Sequence, residues 1–279
     1  MNGDEEDRAE ARSLPHSREG RYSRSLERGL SIVACFTSER PLLGIRELAG
    51  MLDMSPATTH RYVSALATQG YLERDVSTSR YRLSLGALDL GMTALNATGL
   101  CMHAHPELEK LTERTRYTVA LGVLDGLEVL LVDQVPGTRR GQRKVGEDVR
   151  AGSRLPAHCT SLGKVLLAYL PEDQQMGLVA EMALLKDGPN TITSETALRD
   201  QLEDVRHEGL AIDDEELMVA SCAIAAPVRD ESGDVVAAVG VVVLGGAIEL
   251  EELMNRFTGQ LVTTAERIST RLGWQGEGQ

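Results

Sequence analysis

Residues 45–66 read Ile45-Arg46-Glu47-Leu48-Ala49-Gly50-Met51-Leu52-Asp53-Met54-Ser55-Pro56-Ala57-Thr58-Thr59-His60-Arg61-Tyr62-Val63-Ser64-Ala65-Leu66. Leu48, Met51 and Leu52 fall at i, i+3 and i+4 and so share one face of a short helix. Asp53-Met54-Ser55 breaks that pattern. Ser55 is a good N-cap and Pro56 follows at the first helical position, where its missing N–H costs nothing. The second helix is expected to run to about Gln69, with Tyr62, Val63 and Leu66 inward, and Gly70 stops it. Ser55, Ala57, Thr58, Thr59, His60 and Arg61 are left on its first two turns. Short hydroxyl side chains and one arginine suit a helix whose N-terminal end reaches base edges and phosphates.

The flanks agree with this reading. Tyr71-Leu72-Glu73-Arg74 and Tyr81-Arg82-Leu83 alternate as half-buried strands do, and Asp75–Ser79 between them is turn-rich. The pair forms a wing, with Arg80 and Arg82 expected on a phosphate backbone. A preceding helix from Leu26 to Phe36, carrying Leu26, Leu30, Val33 and Phe36, would complete a three-helix core. Two amphipathic helices around a turn are common in α-rich proteins. A capped second helix, a stop glycine, a wing and a preceding helix together point to a winged helix-turn-helix for double-stranded DNA.

A net charge of −13 opposes DNA binding if it is spread evenly over the chain. Its distribution resolves the conflict. Residues 21–86 hold nine arginines and six acids, whereas residues 87–279 carry 17 basic and 30 acidic side chains. Basicity is confined to the DNA-binding stretch, and a balance of only +3 there favours two copies reading two half-sites. The four cysteines (Cys35, Cys101, Cys159, Cys222) are widely spaced, which suits a reducing compartment rather than a disulfide framework. No segment approaches the ~18 consecutive apolar residues of a membrane helix, and the N-terminus lacks an apolar signal core. The expectation is a cytoplasmic protein with no membrane contact.

Residues 1–22 are polar and aperiodic and read as a disordered tail. Residues 23–85 form the DNA-binding domain. Residues 86–102 read as a linker helix whose apolar face is left for a partner helix. Residues 103–275 read as a mixed domain. A helix is expected from His105 to Arg116. Strands are expected over 118–124 and 128–134, joined by the hairpin signal Asp125-Gly126. An irregular basic loop should span 137–152, followed by helices over 160–170, 172–183 and from the Ser194 cap to about 208. Strands over 210–212, 223–229 and 235–244 and a closing helix over 250–272 complete it. Without a repeated βαβ unit, this is an α+β arrangement on an antiparallel sheet.

Chemistry in this second domain is sparse. The chain turns into a helix near Thr160, and a helix N-terminus can take a carboxylate or phosphate, although capping by Thr160 or Ser161 explains the residues equally well. Adjacent His158-Cys159 lacks an orienting third residue, so no nucleophile is assigned and the chain is not read as an enzyme. Asp213-Asp214-Glu215-Glu216 reads as a solvated acidic turn rather than a metal site. Cys101-Met102-His103-Ala104-His105 has soft ligands at alternating spacing but no second matching pair. Whether Cys101, His103 and His105 hold a metal stays open. No metal site and no cofactor is assigned.

These features together resemble the IclR family of bacterial transcriptional regulators. The residues that carry the resemblance are Ser25–Leu30, the helix-turn-helix, Leu155-Pro156-Ala157-His158 with Gly163-Lys164, and Asp213–Glu216 with Ile224-Ala225-Ala226-Pro227-Val228. The resemblance implies an N-terminal winged helix, a linker helix and a C-terminal GAF-like effector-binding domain. It implies a homodimer or dimer of dimers on a near-palindromic operator, and control by a small-molecule effector, often an organic or aromatic acid. The effector-lining positions it implies are Leu155, Ser161, Leu162, Asp213, Ser221, Ala223, Gly240 and Val242, with Cys159, Thr160 and Cys222 beside them. Gly240, Val242 and Ala223 stand where some carboxylate-binding members carry polar atoms, so a roomier, less polar pocket and a larger, partly apolar acid are expected. A repressor is favoured over an activator. The rival readings are a metabolite-processing enzyme with an accessory DNA module and a DNA-binding scaffold whose second domain only oligomerises.

Overall fold

The computed structural model describes residues 23–37, 40–97, 99–138 and 149–276. The expected tail over 1–22 and positions 139–148 of the expected basic loop lie outside the described residues. The chain divides into two compact units, one ending at Ala94 and the other beginning at Leu95.

The first unit contains α1 (Arg24–Ala34), α2 (Ile45–Met51), α3 (Pro56–Thr68), β1 (Leu72–Arg74) and β2 (Tyr81–Leu83); α4 (Leu85–Ala97) carries the chain across the division. Local chemistry accounts for each boundary. The Ser55 hydroxyl accepts the Thr58 N–H at 3.2 Å, with Pro56 in the first turn. Gly70 takes φ +79°, the left-handed conformation that ends α3. β1 and β2 pair antiparallel from Leu72↔Leu83 to Arg74↔Tyr81, and Tyr81 also bridges to Leu43 ahead of α2. Ile32, Cys35, Phe36, Leu43, Leu48, Val63, Leu72 and Tyr81 form the core, with Tyr62 and Leu66 packed partly against it. The inward face of α1 differs from expectation. Ile32 is buried, while Leu26 and Leu30 are 64% and 53% exposed. The i, i+4 stripe of leucines points to solvent, and a neighbouring stripe through Ile32 and Phe36 packs inward.

The second unit is a three-layer sandwich. Its six-stranded antiparallel sheet runs in the order β5-β4-β3-β8-β7-β6, formed by β3 (Thr118–Asp125), β4 (Glu128–Val135), β5 (Arg154–Pro156), β6 (Ala211–Asp214), β7 (Ser221–Arg229) and β8 (Val235–Leu244). α5 (Leu100–Thr115) and α9 (Leu250–Arg271) cover one face. α6 (Ser161–Ala168), α7 (Glu172–Glu181) and α8 (Glu195–Glu208) cover the other. Central strands buried on both faces read as near-continuous apolar runs, as in the Val235–Leu244 sequence of β8. Strand β5 had no counterpart in the sequence reading, because its three residues are too short to show alternation. α5 begins at Leu100, so Pro106 sits inside the helix rather than near its start.

Gly163 sets how closely α6 can approach the chain before it. A Cβ there would overlap the backbone of Ala157. Gly163→Ala is therefore expected to destabilise the protein by about 1–3 kcal/mol through a forced backbone shift. Urea denaturation checks this. A midpoint unchanged from wild type would mean that α6 has room to move.

Candidate functional site

Of the expected DNA-facing residues, Ser55, Ala57, His60 and Arg61 are exposed and Thr58 is half-buried. Together with Ser64 they occupy the outward side of α3. Ser55 donates its hydroxyl proton to Thr58 Oγ1 at 2.8 Å, so both hydroxyls are tied into the helix cap. The Arg61 guanidinium lies 5.2 Å from the Tyr62 ring centroid, and the Tyr62 hydroxyl donates to Ser25 Oγ on α1 at 3.3 Å. That hydrogen bond, with those of Arg61 and Arg28, draws the Tyr62 pKa below its ordinary value.

Thr59 departs from expectation. It is fully buried and its hydroxyl donates to the Ser55 carbonyl at 3.1 Å. It lies one turn before Val63 on the inward stripe, so it packs in the core and cannot meet DNA from this position. The wing arginines are also more committed than expected. Arg80 pairs with Glu47 at 2.9 Å and reaches the Leu42 carbonyl at 3.4 Å, while Glu47 caps the Gly44 N–H at 2.7 Å. Arg82 pairs with Glu73 across the wing. Both pairs are exposed, where an ion pair contributes only about 0–1 kcal/mol, so a phosphate could displace the acid at little cost. Arg46, on α2, makes no ion pair among the described residues. The sequence reading overlooked it because apolar spacing identifies a helix but not its exposed cations.

In the second unit, cross-strand register places Asp213, Ala223, Val242 and Thr118 in one row across β6, β7, β8 and β3. Residues paired in register point to the same face, so the row lies on the α6 side of the sheet. Lys164, on α6, is fully buried and its ammonium pairs with Glu216, just beyond β6. Asp213 is 5% exposed and its Oδ1 accepts the Glu216 N–H at 2.9 Å. Burial outweighs this hydrogen bond and the nearby Lys164 charge, and raises the Asp213 pKa to about 7. Asp213–Glu216 is thus no solvated acidic turn, since the turn folds inward and buries both end residues. Glu216 Oε2 is buried without a hydrogen-bond partner among the described residues. Sequence reasoning missed both Lys164 and Glu216 as site residues. Sequence spacing alone could not show that residues 52 positions apart form a buried pair.

Several expected lining residues are placed otherwise. Cys222 points to the opposite face from Ala223, because strand side chains alternate; its thiol donates to the Ile248 carbonyl at 3.5 Å in the α9 core. Thr160 is the N-cap of α6. It accepts from Gly163 N–H at 3.2 Å and donates to the Pro156 carbonyl at 2.9 Å, so capping is its role. Gly240 opens no extra room, since a Cβ there would stand 3.1 Å from Leu162 Cδ2. Leu162 fills that space as part of the core between α6 and the sheet. Leu155 packs partly against the same core, whereas Ser161 is buried on α6, and Ser221 is buried with its hydroxyl on the Met218 carbonyl at 2.7 Å. Cys159 is buried, and its thiol donates to Asp187 Oδ2 at 3.6 Å. Burial, then the nearby Asp187, Asp213 and Glu216 charges, hold its pKa far above the ordinary thiol value. Burial likewise pushes Cys222 up to about 12. Both are the reverse of a nucleophile's surroundings. On α5, Cys101 donates to the Val132 carbonyl at 3.7 Å and His105 meets Asp133 at 2.8 Å. Both are thereby tied to β4.

Both units match known regulators. Residues 92–270 match the family model "Bacterial transcriptional regulator IclR C-terminal", and residues 25–76 match the "IclR helix-turn-helix domain". The chain belongs to the IclR family. It is similar to the HTH-type transcriptional regulator XynR of Escherichia coli, at 30% identity over 90% of this chain and 97% of the relative. It is also similar to the HTH-type transcriptional repressor AllR of Salmonella paratyphi A, at 30% identity over 90% of each chain. Among solved structures it is similar to an IclR homolog from Microbacterium hydrocarbonoxydans complexed with 4-hydroxybenzoate. That likeness has a TM-score of 0.78 and 26% identity, and covers 89% of this chain and 98% of the other. This IclR-family protein is a transcriptional regulator, not an enzyme. No helix among its described residues is long and apolar enough to cross a membrane.

The raised pKa of Asp213 has a consequence for stability with a definite sign. Between about pH 4 and pH 7 the unfolded chain has ionised this carboxyl and the folded chain has not, so folding takes up a proton. The stabilisation is full below the unfolded pKa and is lost as pH rises towards about 7, at about 1.4 kcal/mol per pH unit. Asp213→Asn cannot ionise. The stability difference between wild type and this variant should therefore move against wild type across that window and level off above it. Parallel chemical-denaturation curves at pH 5, 6, 7 and 8 check this, and a pH-independent difference would show that Asp213 ionises normally.

Proposed function

We propose that this IclR-family regulator is a ligand-responsive repressor in the cytoplasm. It binds a near-palindromic operator as a pair of copies and is controlled by a small organic acid. The acid binds between α6 and the β6–β7 end of the sheet. One observation carries the reading. Lys164, Glu216 and Asp213 form a buried polar cluster on the α6 side of the sheet, with one Glu216 carboxylate oxygen unpartnered among the described residues. An unpartnered buried oxygen costs stability unless something answers it, and convergent polar groups against apolar walls are how small-molecule sites are built. Ala223 and Val242 supply apolar neighbours, which supports an aromatic or partly apolar acid over a two-carbon one. The 4-hydroxybenzoate held by the Microbacterium relative is of that class. The repressor assignment draws on the name of the Salmonella relative.

A ligand that binds only the folded state must stabilise it. Aromatic acids such as 4-hydroxybenzoate should raise the melting temperature of the full chain and shift its affinity for operator DNA. No shift across an acid panel, with operator binding intact, would leave the scaffold reading standing. Asp213 also sets a pH dependence. Its carboxyl faces Lys164 on α6 and Glu216 beyond β6. Protonated, it donates to a ligand carboxylate; ionised, it repels one. Acid binding should weaken several-fold from pH 6 to pH 8 in wild type and be flat in Asp213→Asn, as read by calorimetric titration.

For the output half, we propose that Ser55, Ala57, Thr58, His60 and Arg61 face the major groove, with Arg46, Arg80 and Arg82 on phosphates. Arg61→Ala should weaken operator binding tenfold or more, consistent with ~1–3 kcal/mol for a base-reading arginine. Fluorescence anisotropy at several salt concentrations checks this. Unchanged affinity and salt slope would remove α3 from the interface.

Pairing draws on apolar side chains left in the open. Leu26 and Leu30 on α1 and Leu85, Leu88, Leu90 and Met92 on α4 are all at least 45% exposed. Apolar side chains exposed in this number fit an interaction surface. The double substitution Leu30→Asp, Leu88→Asp should convert a dimer to monomers in sedimentation equilibrium and weaken operator binding in step. Ligand binding would then act through α4 on the spacing of two recognition helices. Identical half-site spacing with and without ligand would sink that step.

A further inference from the structure

A second cluster lies beside the acid site, on residues the functional reading does not use. One ring nitrogen of His158, the sulfur of Cys159 and a carboxylate oxygen of Asp187 all lie within 4.8 Å of one another. Among the described residues this is the one group of three or more metal-ligating side chains that converges in this way. The Sγ to Oδ2 distance is 3.6 Å. Two donors at ~2.3 Å (sulfur) and ~2.1 Å (oxygen) from one tetrahedral ion stand about 3.6 Å apart, so this pair is already at coordination spacing.

The three ligands sit on restrained backbone. His158 and Cys159 are buried immediately before the N-cap of α6, in the segment against which Gly163 packs. Asp187 precedes Gly188, whose N–H donates to Thr191 Oγ1 at 2.7 Å. The same Thr191 hydroxyl lies 2.6 Å from the Glu216 carbonyl oxygen, which fastens the Asp187 loop to the turn after β6. Gly188 has no room for a side chain against Glu215 and Glu216. His158 Nε2 is 3.3 Å from the Leu185 carbonyl. A backbone carbonyl against one ring nitrogen is the usual second contact that orients a metal-bound imidazole.

We propose that His158, Cys159 and Asp187 form a binding site for a single divalent transition ion of the zinc type. Imidazole and thiolate with one carboxylate select zinc, cobalt or a neighbour over magnesium or calcium, which prefer oxygen donors throughout. Binding displaces the thiol proton to solvent, and the ion takes the sulfur's electron pair. Three protein ligands leave a fourth position for water or another oxygen donor.

The test uses the full chain, stripped with a chelator and titrated with Zn²⁺ in a calorimeter and with Co²⁺ in an absorption cell, with no organic acid or DNA present. One ion per chain should bind saturably, and the cobalt form should show a thiolate charge-transfer band. Cys159→Ser should remove the band, and Asp187→Asn should weaken zinc binding at least tenfold. Asp187 is exposed, so its variant should keep the melting temperature of the stripped wild type; it remains informative if Cys159→Ser folds poorly. Cys101→Ser and His105→Ala should bind as wild type. The proposal is overturned by absence of saturable uptake, by uptake indifferent to Asp187→Asn, or by loss of uptake in the Cys101 or His105 variants. Acid-induced stabilisation is measured separately, so failure here is distinct from failure of the effector reading.

Discussion

The Lys164–Glu216 ion pair fixes the sensing unit. Lys164 is on the helix that covers one face of the sheet, and Glu216 is on the turn between the edge strand β6 and its neighbour β7. Both are buried, so each has lost its water shell. The desolvation cost of two such ions is repaid by mutual attraction only when geometry and further hydrogen bonds are good. Here one Glu216 oxygen is left without a partner. A pair of this kind is poor value as a stabiliser, and two apolar residues of similar volume would often serve better. Its physical effect is different: it ties α6 to the turn after β6. Asp213 then hangs on the same turn through the Glu216 N–H. Its raised pKa follows from being drawn into this dry environment.

Much of this architecture was legible in the sequence wherever one residue does a local job. Ser55-Pro56 capped α3 and Ser194 capped α8 as their chemistry dictates. Gly126 turns the β3–β4 hairpin at φ +64°. What could not be read is whatever depends on which side of an element meets its neighbour. Thr59 carries a polar side chain on an inward stripe, and it is tolerated there because its hydroxyl bonds back to Ser55. Leu26 and Leu30 have helical spacing but face outward. Cys222 was placed beside Ala223 by adjacency, although a strand sends neighbours to opposite faces. Four consecutive acids suggest solvent by composition. Two of them are instead buried, because a lysine 52 residues away from Glu216 meets it in three dimensions.

The same distinction explains the charge pattern of the winged helix. Counting arginines suggests a basic surface, but Arg80 and Arg82 are already paired with Glu47 and Glu73. Paired arginines carry a smaller field at a distance than their number implies, which weakens long-range attraction to DNA. They remain able to exchange partner at contact, because exposed pairs contribute little. Arg61 on α3 and Arg46 on α2 stay outside any ion pair among the described residues. On the proposed reading, affinity would rest on a few well-placed groups per copy, and a second copy would multiply them through effective concentration. Exposed leucines on α1 and α4 fit that requirement better than a more basic surface would.

Charge also links the two candidate ligand sites in the sensing unit. Asp187, Asp213 and Glu216 all act on the Cys159 sulfur, and Lys164 offsets part of that field. On the proposed reading, an organic anion entering this region would meet repulsion unless Asp213 is protonated or a cation is added. Protonation and metal binding are two physically distinct ways to make the same correction, one on the sheet row and one at the mouth of α6. They would be separable by experiment, since removing the Asp213 proton leaves the His158–Cys159–Asp187 ligands in place. A sensing unit with an excess of buried acid would respond to an anion only in company with a proton or a cation, and that condition follows from the electrostatics of the turn after β6.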